Sequence, residues 1–64
     1  MTLKIYKTKY DQLNQTPIIY NNVLKIVDQT SDNEINIFIK ANENMARWEN
    51  IPNRNDYFLI VIEQ

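Results

Sequence analysis

Phe58-Leu59-Ile60-Val61-Ile62 is an unbroken apolar run of strand formers near the end of a 64-residue sequence. Side chains alternate across a strand with period 2, so a run without a polar break must be covered on both faces. A chain this short covers one face of a sheet with its own residues. Covering the second asks for a helix, a closed barrel or a second copy of the molecule. Phe58, Ile60 and Ile62 share one face of the run and are the residues expected to carry self-association, in a last strand spanning residues 57–63.

That strand needs neighbours. Glu34 to Ala41 alternates cleanly, with Ile35, Ile37 and Ile39 on one face and Asn36, Phe38 and Lys40 on the other. Leu3 to Tyr10 reads as a first strand, with Leu3 and Ile5 on one face and Lys4, Tyr6, Thr8 and Tyr10 on the other. Its lysines suit a sheet edge, where charge discourages pairing with stray chains. Residues 11–15 are polar and read as a loop or one helical turn around Leu13.

Residues 16–29 admit two readings. Thr16-Pro17 fits an N-cap and first helical residue, and Ile19, Tyr20, Val23, Leu24 and Val27 fit a helical stripe. Against the helix stand the Ile and Val content and the mid-helix pair Asn21-Asn22. Asn-Asn tolerates the left-handed conformations of a tight turn, so residues 18–20 and 23–27 become two strands meeting there. The strand reading is preferred. Residues 28–33 form a polar turn cluster.

Residues 43–50 read as a short helix. Asn42 supplies a cap, Glu43 and Arg47 an i,i+4 pair, and Met45 and Trp48 a shared side, with Pro52 ending the element. The expected fold is therefore mainly β (or α+β): one domain over residues 1–64, a small antiparallel sheet of four to five strands with one short helix near residues 43–50. Glycine is absent. Tightly coiled barrels use glycine at bulges and corners, so a two-layer arrangement is expected instead.

Composition narrows the function. Below roughly 70–80 residues a single core rarely supplies more than about 3–5 kcal/mol, and small domains usually add staples. The sequence has no Cys and no His, hence no disulfide, no thiolate site and no imidazole ligand. Association is the remaining route to stability. No h-region of a signal peptide opens the sequence and no apolar stretch approaches a membrane span, so a cytoplasmic location without membrane contact is expected. Asn14-Gln15-Thr16 matches a glycosylation sequon, read as chance in that setting. Asn and Ile each occur ten times, a bias typical of AT-rich coding sequence, such as that of a low-GC bacterium or its phages and plasmids.

Catalysis has little to work with. Ser31 is the only serine and has no histidine to act as its base. A Ser–Lys pair would need Lys25 or Lys40 desolvated, yet both fall at solvated strand positions. Asp28, Asp32 and Glu34 sit around a turn, the wrong place for a carboxyl with a raised pKa, and lack the glycine and spacing of a calcium loop. Neither an enzyme, a metal site nor a cofactor is expected.

Two binding readings remain. Trp48, with Met45, Arg47 and Ile51, is the candidate protein-contact surface, since tryptophan and arginine are enriched in interface hot spots. Lys4, Tyr6, Lys7, Lys9 and Tyr10 are the candidate platform for single-stranded nucleic acid, combining charge for phosphates with rings for stacking. Residues 1–10 hold three lysines and no acid, whereas the rest of the chain holds four basic residues against eight acidic ones. The net charge of −1 weighs against the nucleic-acid reading. The expected function is a non-enzymatic protein-interaction module that forms homo-oligomers, of the kind that phages and mobile elements use as small inhibitors or accessory factors.

Overall fold

A computed structural model describes all 64 residues. The chain is mainly β, as its alternation implies, and its six strands divide between two antiparallel sheets. The first sheet has the order β2-β1-β6, from Ile18–Tyr20, Thr2–Tyr6 and Leu59–Glu63. The second has the order β3-β4-β5, from Val23–Gln29, Glu34–Asn42 and Met45–Pro52. One short helix, α1, covers Lys9–Leu13, and single 3-10 turns occupy Thr30–Asp32 and Arg54–Asp56.

The core joins the two central strands. Leu3 and Ile5 of β1 meet Ile35 and Ile37 of β4, with Val23 and Ile51 completing a buried cluster. Around it pack the half-buried Tyr20, Ile26, Ile39, Tyr57 and Ile60. The shortest dimension of the molecule is 16 Å, which suits two sheets packed face to face about 10 Å apart. This is the two-layer arrangement, built from two sheets rather than from one sheet and a helix.

Three local readings change. The first strand stops at Tyr6, because Thr8 caps α1. Thr8 Oγ1 accepts from the Asp11 amide at 3.2 Å, and Asp11 Oδ2 accepts from the Thr8 amide at 3.1 Å. This reciprocal box turns residues 8–11 out of the sheet. The alternating face Lys4-Tyr6-Thr8-Tyr10 is thereby broken.

Residues 18–20 and 23–29 are strands, yet they do not form a hairpin. β2 pairs with β1 and β3 with β4, so Asn21-Asn22 carries the chain from one sheet to the other. Asn22 takes a left-handed φ of 58° there. The corner is fixed by Met1, whose amino group donates to the Val23 carbonyl at 3.0 Å while its own carbonyl accepts from the Val23 amide at 2.9 Å.

The helix expected over residues 43–50 is not formed; the short helix lies at Lys9–Leu13 instead. Residues 45–52 are β5, paired with β4 from Glu34 opposite Pro52 to Asn42 opposite Met45. Asn42 Oδ1 accepts from the Asn44 amide at 2.9 Å, so the side chain expected to cap a helix closes a hairpin turn. Pairing wins because it sets Ile51 beside Ile35 in the core and Trp48 beside Phe38 outside it.

Candidate functional site

The free edge of the first sheet is built by β6. Its residues pair with β1 alone, from Thr2 opposite Glu63 to Tyr6 opposite Leu59, and no backbone hydrogen bond reaches its other side. Residues directly opposite share a face. Ile60 and Ile62, opposite Ile5 and Leu3, therefore lie on the core side, and Leu59 and Val61 on the outer side. Ile60 packs against the core, whereas Phe58 and Ile62 stay about half exposed, at 51% and 49%. The three residues expected to mediate self-association are thus divided: one anchors the fold and two stay half exposed.

The other edges are less open to a partner. β2 has only three residues. β3 is tied to Met1 at its start and carries Lys25 and Asp28, and β5 carries Arg47 and Glu49. Charges on an edge strand discourage intermolecular pairing. β6 has one charged residue, Glu63, whose Oε1 lies 2.8 Å from Lys4 Nζ. That hydrogen bond, with the carboxylate charge, raises the Lys4 pKa above its ordinary value.

The N-terminal basic and aromatic residues do not form one surface. Lys4 is engaged by Glu63 and Tyr6 is buried, while Lys7, Lys9 and Tyr10 stand exposed around the start of α1. Nor do Met45, Arg47, Trp48 and Ile51. Ile51 is a core residue, Arg47 pairs with Glu49 at 3.1 Å, and Met45 is exposed beside the β4–β5 turn. Trp48 projects to the opposite side of the sheet from Ile51, since strand neighbours three apart face opposite ways.

The carboxylates of the 28–34 turn do not converge. Asp28 accepts two bonds from the Arg54 guanidinium, at 2.9 and 3.0 Å, which hold its pKa below the usual carboxylate value. Glu34 accepts from the Asn36 and Asn50 amides at 3.3 and 2.7 Å. No group of three or more metal-ligating side chains comes together. Between the sheets Tyr20 lies near Glu49 and Tyr57; burial first, then these two neighbours, raises its pKa.

The outer face of the second sheet holds a feature hidden by the helical reading. Phe38 and Trp48 are cross-strand partners with ring centroids 5.1 Å apart, and Trp48 is 54% exposed. Lys25 stands opposite Phe38 on β3, and Lys40 opposite Ala46 on the next rung. On the other side of the aromatic pair Asn36, Asn50, Gln29 and Glu34 form an amide–carboxylate ladder with bonds of 2.7 to 3.3 Å. A groove of about 390 Å³ continues toward the hairpin tip, lined in part by Leu24, Lys40, Met45 and Ala46. The available signal was the alternation of Ala46, Trp48 and Asn50 against Arg47, Glu49 and Ile51.

The molecule is thus a small two-sheet antiparallel β domain, and none of its helices is long and apolar enough to cross a membrane. No family model matches it, and comparison with curated proteins and with solved structures gives no significant match.

Proposed function

We propose that the protein is a non-enzymatic interaction module whose partner is a second copy of itself, joined through β6. The observation that carries this reading is the unpaired, uncharged edge of Leu59-Ile60-Val61-Ile62 with Phe58 and Ile62 exposed beside it. Such an edge is a template for strand addition. Antiparallel pairing of β6 with its counterpart across a two-fold axis makes one six-stranded sheet from two three-stranded ones and satisfies the free backbone groups. The same contact covers the half-exposed apolar side chains. Ser31 lies in a 3-10 turn, and Asp28 and Glu34 of the strands that flank it are held by Arg54 and by amides, which supports binding rather than catalysis.

Sedimentation over a wide concentration range tests the reading. The mass should move from 7.7 kDa toward twice that value as concentration rises. A monomer at every concentration reached would overturn it.

A further inference from the structure

We propose that the outer face of β3-β4-β5 is a binding groove for single-stranded nucleic acid, with Trp48 and Phe38 as the stacking platform and Lys25 and Lys40 as the phosphate contacts. The site is separate from the β6 edge, which belongs to the other sheet. It is also separate from Lys4, Lys7, Lys9 and Tyr10, which the capping box and the Glu63 ion pair scatter.

Three observations converge on it. The first is an aromatic pair held open to solvent: Phe38 props Trp48 at 5.1 Å, and Trp48 keeps 54% of its surface exposed. A flat exposed ring on a rigid strand accepts any base, because every base has a π-face. The second is charge. Lys25 and Lys40 are exposed on the same face as the rings and take part in none of the three ion pairs, which occupy Lys4, Arg47 and Arg54. Successive same-face residues along a strand are about 6.7 Å apart. Both lysines flank Phe38, Lys40 one same-face position along β4 and Lys25 across on β3, so a strand of nucleic acid stacked on Trp48 meets both ammonium groups on the β4 side of the ring. The third is continuity. Lys40 and Ala46 line the groove of about 390 Å³ that leads away from the rings toward the hairpin tip, giving the backbone a path beyond the first base.

The two lysines stand nearer the rings than the carboxylates of this face do along the strand order, Lys25 directly opposite Phe38 and Lys40 on the next rung. Glu34, the carboxylate at the far end of the face, has both oxygens occupied by the amides of Asn36 and Asn50. Glu34 at one end of the face and Glu43 at the groove mouth are the opposing charges, and they keep the binding weak. An acidic peptide would satisfy the lysines but leave the Trp48 ring face without a flat partner, so nucleic acid is the better fit.

Trp48 is the only tryptophan, so its fluorescence reports on the site directly. Titration of the full chain with oligo(dT) and with oligo(rU) at low salt should quench that fluorescence. With two phosphate contacts the logarithm of affinity should fall with that of salt at a slope of about −1.4, or about sevenfold between 50 and 200 mM. Lys25→Gln and Lys40→Gln should each reduce that slope to about −0.7, while the triple replacement of Lys4, Lys7 and Lys9 by glutamine should leave it unchanged. Trp48→Ala, read by anisotropy of a labelled oligonucleotide, should weaken binding about fivefold or more without unfolding the domain. No quenching by either oligonucleotide at low salt overturns the proposal. So does a salt slope that follows the N-terminal lysines instead of Lys25 and Lys40, or quenching that tracks protein concentration alone, which would make this face a contact between copies.

Discussion

Replacing Ile62 with lysine separates association through β6 from folding of the single copy. Ile62 lies opposite Leu3 near the end of β6 and is 49% exposed, so about half of its surface remains to be covered by a partner. Fully burying an isoleucine side chain contributes about 1.5–3 kcal/mol, and half of that is about 0.7–1.5 kcal/mol per copy. A two-fold contact uses the residue twice, giving about 1.5–3 kcal/mol per dimer, or a dissociation constant raised about 10- to 150-fold. Two lysines brought near one axis add repulsion to that loss. Within the single copy only the already buried half is lost, about 0.7–1.5 kcal/mol against the roughly 3–5 kcal/mol a core of this size supplies. The variant should therefore stay folded by circular dichroism while sedimentation shows its dimer shifted to higher concentration. Ile60→Lys is the contrast: Ile60 packs against the core opposite Ile5, so that change should unfold the protein. If Ile62→Lys associates as tightly as the parent, or if the parent never leaves the monomer, pairing through β6 is wrong.

Ile37 is fully buried at the centre of β4, and Ile37→Ala should cost about 2–5 kcal/mol, enough to unfold the domain in a thermal melt; a cooperative transition at the parent temperature would contradict the packing. Asn53 holds a left-handed φ of 60° with no side-chain cap bond, so Asn53→Gly should melt near the parent whereas Asn53→Val should lose roughly 1–2 kcal/mol in chemical denaturation. Equal stability of the two variants would remove the conformational argument. Arg54 holds the Asp28 pKa below its ordinary value near 3.8, so the stabilisation is complete above that value and is lost as pH falls through the lower folded one. Asp28→Asn should therefore be less stable than the parent at neutral pH and indistinguishable from it in acid; a gap that ignores pH would exclude the ion pair as its cause.

The strands read at residues 34–41 and 57–63 from alternation and an apolar run form at 34–42 and 59–63, and the strands preferred over a helix at 18–20 and 23–27 form at 18–20 and 23–29. Asn also substitutes for the missing glycine as the sequence permits: Asn22, Asn33 and Asn53 all take left-handed φ values, joined by Gln15. The Thr8–Asp11 box was present in the sequence as well, but the alternation of residues 3–10 spoke for a longer strand. Local patterns determine which segments extend and where the chain bends, because side-chain period and turn chemistry act over a few residues. Tertiary structure decided the rest. Residues 43–50 satisfy helix and strand rules alike, and only pairing with β4 separates them, through contacts such as Phe38 with Trp48 and Ile35 with Ile51. Asn21-Asn22 suits a hairpin by its residue types, yet the backbone bonds between Met1 and Val23 make it the corner between two sheets. The free edge of β6 and the exposed Phe38–Trp48 face follow from those pairings. Both arise between residues distant in sequence, whose hydrogen bonds and apolar burial outweigh local preference only when the whole chain has come together.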